Sequence, residues 1–194
     1  IMMDKVLTTG IGPLEVTRTM KALGLKNTFL AGMFYLGAPL LQTYSTPANS
    51  RTDVFRDPDP YSQTTPVDIG LLLNDIYECA QNGGGSFSAV FPGEITQNEC
   101  KSMITSLTQN HIGVLIEAGV PEGTKVAHKH GWAVDPVDGL MHTVGDAALV
   151  YTPGGNYILT IYIHNDAQII WNNANKLFAD LSAAVYNYFN LEVR

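Results

Sequence analysis

The sequence predicts an α+β fold in which an antiparallel sheet is flanked by helices. Three observations carry that prediction. Apolar residues recur at helical spacing in separate stretches of the first 118 residues, residues 125–163 switch to strand-like runs, and the chain closes on one long helical stretch. Of 194 residues, 45% are apolar and 15% charged. That composition belongs to a globular chain with a large buried fraction, not to a disordered one.

The first helix is expected over residues 13–23, from Pro13 at its N-terminus to a stop at Gly24, with Leu14, Val16, Met20 and Leu23 as its apolar face. Residues 29–62 are rich in Pro, Thr, Ser, Asp and Tyr and keep no sustained period. They predict a long irregular loop of the kind that carries function or moves. Thr64-Thr65-Pro66 opens a second helix with Thr as N-cap and Pro in the first turn; Ile69, Leu72, Leu73 and Ile76 follow the 3.6 period. It stops before Gly83-Gly84-Gly85, which follows a helix and lacks a Lys-Ser/Thr pair, and so reads as a turn and not a phosphate loop. Thr96 with Glu99 predicts a capping box for the next helix.

Strands are expected over 125–132, 145–151 and 157–163, the last two joined by a tight connection at Thr152-Pro153-Gly154-Gly155-Asn156. Residues 157–163 are apolar on both faces, which predicts cover on both sides. A closing helix is expected from Asp166 to Phe189, its core stripe made of Ile170, Ala174, Leu177, Leu181, Val185 and Tyr188.

The formal charge of −7 and a pI near 5.0, with eleven scattered Lys and Arg, argue against a nucleic-acid partner. No run approaches the roughly 18 apolar residues of a membrane span, and the opening residues carry no secretory signal pattern. Cys79 and Cys100 both fall in helical segments, which neither requires a disulfide nor excludes two free buried thiols.

Several stretches together resemble the penicillin-recognising serine hydrolases, specifically the class A β-lactamase-like family. Thr64-Thr65-Pro66-Val67-Asp68 with Leu71-Leu72-Leu73 resembles the family's helix after its Ω loop. Gly119-Val120-Pro121-Glu122-Gly123-Thr124-Lys125-Val126-Ala127-His128-Lys129-His130-Gly131 resembles the approach to the K-T/S-G strand. Gly145 through Pro153, followed by 157–163, resembles the two strands beyond it, and Gly12-Pro13 through Gly24-Leu25 resembles a G-G-…-L-G-L helix segment. The order is the family's and the resemblance covers nearly the whole chain; a lone K-x-G would carry nothing.

The resemblance implies a β-lactamase/transpeptidase-like fold with part of a helical lobe. It makes residues 1–194 a single N-terminally truncated domain, with 1–118 mostly helical lobe and 119–194 the sheet and last helix. It implies acyl-enzyme chemistry on β-lactams or peptidoglycan-like amides, without a cofactor or metal, in an extracytoplasmic protein. Lys129 is then the catalytic charge, and His130 and Gly131 line the carboxylate subsite. The Trp132 N–H is one oxyanion donor. A lysine beside a nucleophile supplies positive charge and aids proton transfer, and glycine lets a substrate backbone lie close.

There are departures. The S-x-x-K nucleophile and base and the S-D-N motif are absent, which predicts an inactive fragment that needs an upstream segment of the same protein as its partner. Without that segment, an exposed apolar surface and poor stability are expected. Residues 43–63 hold Asp53, Asp57 and Asp59 but no Glu for deacylation, so these aspartates read as solvated loop charges. His130 replaces the usual hydroxyl, which points to an altered substrate.

Two other function classes stand beside the hydrolase: a non-catalytic binding or scaffold module of the same fold, and a metal site. His128 and His130 lie two apart on a strand and share a face, with His142 or His164 available to complete a metal set, but no acidic or Cys ligand falls at a recognised spacing. Asp146 reads as a turn-holding residue at a strand start, and Trp132 and Trp171 as packing residues.

Overall fold

The computed structural model describes residues 12–33, 37–53, 59–135 and 137–191. The opening residues 1–11 and Asp57 lie outside them. The chain divides into two compact units, Ile1–Leu72 and Leu73–Arg194.

In the first unit, α1 (Gly12–Ala22) begins at a buried Pro13 and ends at Gly24, whose φ of 85° lets Leu25 N–H reach Met20 O at 3.0 Å. The expected face of Leu14, Val16, Met20 and Leu23 is only half-buried; Gly12, Pro13 and Thr17 are the buried residues. The reason is polar. Thr17 Oγ1 accepts Leu30 N–H at 2.8 Å and donates to Leu30 O at 2.7 Å, so the inward face bonds the backbone of β1 (Phe29–Leu30).

The irregular stretch 29–62 is closed at its base. β1 pairs antiparallel with β2 (Ser62–Gln63). Buried Asp68 accepts Asn27 N–H at 2.7 Å and Thr28 Oγ1–H at 2.9 Å. Gln63 Nε2 donates to Asn27 O and to Thr46 Oγ1. These side-chain bonds replace a regular ladder and leave no period to detect. α2 (Pro66–Asn82) starts as expected, with Thr65 Oγ1 accepting Asp68 N–H, and the boundary between the units falls within it.

In the second unit α2 ends at Gly83, φ 68°, as the triple glycine predicts. A short α3 (Ser86–Val90) follows. α4 (Gln97–Thr108) carries the full capping box: Glu99 N–H bonds Thr96 Oγ1, and Thr96 N–H bonds Glu99 Oε2. Cys79 and Cys100 are disulfide-bonded, with Cα atoms 5.9 Å apart, tying α2 to α4. A 3₁₀ turn, Glu117–Gly119, precedes the sheet.

The sheet runs β3 (Val126–Val134), β4 (Met141–Val150) and β5 (Tyr157–His164), antiparallel throughout in the order β3-β4-β5. On β5, Tyr157 is buried and Leu159, Ile161 and Ile163 pack against the core. The other face is only half-buried at Ile158 and Thr160 and exposed at Tyr162, short of the cover expected on both sides.

The last helix, α5 (Trp171–Phe189), starts five residues later than expected. Asn165 Oδ1 accepts the N–H groups of Ala167 and Gln168, and Ile169 N–H bonds Met141 O at 2.6 Å, so these donors are held in a turn and along the sheet. Its core face also differs. Ala174 is buried and Val185 packs against the core as expected, but Ile170, Leu177, Leu181 and Tyr188 are exposed, and Phe178 and Ser182 are buried in their stead. Ser182 Oγ donates to Ile116 O at 2.8 Å, and a Cβ on Gly119 would lie 2.2 Å from Ala179 O. The helix therefore docks through Ala174 and Phe178 together with contacts at Ser182 and Gly119 that hydrophobicity alone does not mark. The core itself gathers Leu115, Ile116, Val126, Val144, Ala148, Val150, Tyr157, Ile169, Ala174 and Phe178. Among the described residues no helix is long and apolar enough to cross a membrane.

Gly119→Ala should therefore destabilise the protein by about 1–3 kcal/mol in denaturant unfolding, because the added methyl meets helix backbone and not a movable side chain. Cys79 and Cys100 lie 21 residues apart, so reduction of the bond should cost about 3 kcal/mol in the same assay.

Candidate functional site

The geometry of the candidate site follows from the register of one edge strand. Val126 of β3 stands opposite Val150 of β4, and one step outward Tyr151 N–H donates to Lys125 O at 3.0 Å. In an antiparallel ladder such bonded pairs alternate. The odd-numbered residues of β3 thus bond β4, and the even-numbered ones direct their N–H and C=O away from it. Among the described residues no strand pairs along that outer edge. His128, His130 and Trp132 accordingly present backbone groups to a free edge.

Side chains alternate as well. Lys129 and Gly131 lie on one face, and His128, His130 and Trp132 on the other. The four residues singled out from sequence are contiguous but not convergent. Lys129 is exposed and its Nζ donates to His130 O at 2.7 Å. Gly131 is exposed, stands opposite Gly145, and a Cβ there would meet nothing within 4 Å. The His130 ring stacks on Trp132 at 4.9 Å, and Trp132 contacts Trp171 at 4.7 Å, although Trp132 keeps 44% of its surface exposed. Burial first, then the charges of Lys129 and His128, push the His130 imidazole below its ordinary pKa against the opposing pull of Asp146.

Beneath this edge lies a buried ion pair. His128 is 1% exposed and Asp146 fully buried. His128 Nδ1 lies 3.1 and 3.2 Å from the two carboxylate oxygens of Asp146, and Nε2 lies 2.7 Å from Asn110 O. A carboxylate and a carbonyl oxygen only accept, so satisfying both requires a proton on each ring nitrogen. The geometry is that of an imidazolium at His128. Burial works against the charged ring, but the hydrogen bond and charge of Asp146, then Asn110 O and the Glu117 charge, hold its pKa above the ordinary value.

The same pair anchors the turn that precedes the sheet. Asp146 Oδ2 accepts Ile116 N–H at 3.2 Å. Glu117 Oε2, 3.9 Å from His128 Nε2, accepts the N–H groups of Ile112 and Gly113, and His111 Nδ1 lies 3.0 Å from Glu117 Oε1. Burial tends to raise the Glu117 carboxyl, yet these bonds and the His128 charge hold it below its ordinary range. Asn175 Oδ1 of α5 accepts Leu115 N–H at 2.6 Å, holding buried Leu115 at a φ of 58°.

Asp146 therefore holds a turn by a side-chain hydrogen bond, as expected, but it does so from within β4 and not from a strand start, and it also serves as a buried counter-ion. The proposed His128–His130 metal pair is also overtaken, because both nitrogens of His128 face hydrogen-bond acceptors. Among the described residues one other group, Asp135, Asp138 and His142, brings ligand atoms within 4.8 Å. There too both ring nitrogens face acceptors, Asn165 O at 2.9 Å and Asp138 Oδ2 at 2.8 Å, the arrangement of an imidazolium and not of a metal ligand. Asp53 is paired with Arg51, whose hydrogen bond brings it to about 2, and Asp59 accepts Tyr61 N–H and Ser62 Oγ–H. Asn110 and Glu117 escaped sequence reading. The available signal was a lone acid in the apolar run of β4 and a histidine that must share its face.

Residues 4–189 match the model of a family described as the beta-lactamase enzyme family. No curated protein matches the chain. Among solved structures, a class A beta-lactamase from Bacteroides cellulosilyticus is similar at 19% identity and a TM-score of 0.63, covering 95% of this chain and 56% of its own. PBP-A is similar at 18% identity and a TM-score of 0.57, covering 92% and 52%. A PBP-A mutant solved as an acyl-enzyme complex with penicillin G gives 19%, 0.56, 92% and 52%. At these identities the likeness is one of fold, and the chain spans just over half the length of these structures.

The His128 imidazolium sets a pH dependence of stability. Its folded pKa is raised above about 6.5, so its contribution is complete below that pH and is lost as pH rises through the folded value. Denaturant unfolding between pH 6 and 9 should show stability falling by up to about 1.4 kcal/mol per pH unit over that window. His128→Gln should remove this part of the slope; equal slopes in the two proteins would contradict the assignment.

Proposed function

We propose a function from the premise that this chain belongs to the beta-lactamase enzyme family. It is the sheet-bearing part of a β-lactamase-like serine hydrolase that acylates a serine with a β-lactam or a peptide-like amide. The nucleophile and its lysine base come from outside residues 1–194, on a segment of the same protein, because no S-x-x-K occurs in the sequence. The observation that carries this reading is the free edge of β3, where the backbone N–H of Trp132 faces outward directly after a glycine with open space above it.

An N–H fixed in a strand needs no reorganisation to meet the charge that develops on an attacked carbonyl oxygen. The nucleophile's own N–H completes the pair of donors. Lys129, on the same face as Gly131, supplies the positive charge, and Gly131 lets the substrate lie against the strand. His130 lines the subsite through its place on the free edge and, with its lowered pKa, stays largely uncharged near neutral pH. The absence of a glutamate from residues 43–63 favours slow deacylation. An extracytoplasmic setting fits the Cys79–Cys100 disulfide, a bond that persists in oxidising compartments.

Intact-mass spectrometry after incubation with a penicillin tests the reading. A single acyl adduct on the longer gene product, and none on residues 1–194 alone, is expected. An adduct on this chain alone would place a nucleophile within it, and no adduct on either would leave a binding module without chemistry.

A further inference from the structure

Asn110 is where the buried ion pair meets the free edge of β3. Its carbonyl oxygen accepts His128 Nε2–H at 2.7 Å. Its side-chain amide nitrogen lies 3.3 Å from His128 O, a carbonyl of that free edge, and 3.4 Å from His130 Nδ1. One residue thus touches the buried ring, the edge backbone and the next histidine of the edge. It also begins the turn whose Ile112 and Gly113 N–H groups are held by Glu117.

We propose that His128 is a positioning residue, a latch that clamps Asn110 and the 110–116 turn against the edge of β3 for as long as both of its ring nitrogens carry protons. On deprotonation the proton stays on Nδ1, where the carboxylate of Asp146 is the stronger acceptor. Nε2 then turns a lone pair on the carbonyl lone pairs of Asn110 at 2.7 Å, and an attraction becomes a repulsion. Asn110 moves off, and with it go the amide contacts at His128 O and His130. The edge two residues short of Trp132 is thereby altered.

Among the described residues, the charged and titratable groups in contact with His128 are Asp146 from β4, Glu117 from the 3₁₀ turn and His130 from β3; Lys129, its neighbour in the chain, lies on the opposite face. The α5 side chains that hydrogen-bond the turn, Asn175 and Ser182, are neutral. Both acids favour the closed latch. The link to ligand binding rests on the function proposed above; the latch itself does not.

The test is NMR on the protein across pH 6 to 9, following the Asn110 side-chain amide shift and hydrogen-exchange protection at Ile112, Gly113 and Ile116. Protection should fall by up to about tenfold per pH unit, beyond the intrinsic pH effect, from about pH 6.5 to the His128 midpoint. The Asn110 amide should shift with that same midpoint, and Asp146→Asn should move the midpoint down. Should that variant fail to fold, Glu117→Gln provides the same displacement in smaller measure. Amide shifts and protection that ignore the His128 titration, or a midpoint unmoved in a folded variant, would overturn the latch. With benzylpenicillin as probe, a Trp132 amide perturbation that fades with the same midpoint ties the latch to the site. A latch that titrates while benzylpenicillin leaves Trp132 unperturbed at every pH supports the latch and overturns the site reading instead.

Discussion

A buried charge must be matched in place, and the His128–Asp146 pair imposes that demand on everything around it. Removing two ions from water costs several kcal/mol each, and attraction repays this only when the remaining lone pairs and protons also find partners. Here they do. Asp146 takes the Ile116 N–H as well as the imidazolium, and the second ring proton goes to Asn110 O. The strands need β3 and β4 in their observed register to bring the two side chains together, and the 110–119 turn must close over them. A one-residue slip would move one partner to the opposite face of the sheet and leave a bare charge in the core.

That requirement explains why the turn before β3 is built from polar contacts although it sits among apolar residues. Leu115 and Ile116 are buried in the core, while their backbone groups are bound by Asn175, Asp146 and Ser182. Gly119 then lets the 3₁₀ turn lie directly on α5. The outer edge of β3 is held from beneath by this assembly and is touched by Asn110 at His128 O and by Lys129 at His130 O, while no strand among the described residues pairs along it. An edge strand left open in this way is ordinarily a liability. Under the function proposed above, an open edge beside an exposed lysine and an uncovered glycine is the surface that would receive an extended or carbonyl-bearing substrate.

What the sequence disclosed, and what it withheld, divides along the same physical line. Local chemistry was legible: Thr96 with Glu99 formed its capping box, Gly83 stopped α2, and the switch to strand-like runs located all three strands of the main sheet. Long-range polar contacts were not. Asp146 showed its turn-holding role but not its ion pair, because His128 lies 18 positions away, and Asn110 carried no pattern at all. The face of α5 was right at Ala174 and Val185 and misjudged elsewhere for a related reason. Counting apolar residues selects Leu177 and Leu181, but Ser182 and the close approach of Gly119 decide which side docks. The disulfide between Cys79 and Cys100 depended on how α2 and α4 pack, which spacing alone does not specify.

The central claim is that His128 is held as an imidazolium by two acceptors. The ring ¹⁵N resonances of His128 at pH 7 test it most directly. Two protonated nitrogens, each coupled to its own hydrogen, are the expected result. One protonated and one bare nitrogen, the signature of a neutral tautomer, would contradict the account, because Asn110 O or Asp146 would then face a lone pair across a hydrogen-bond distance.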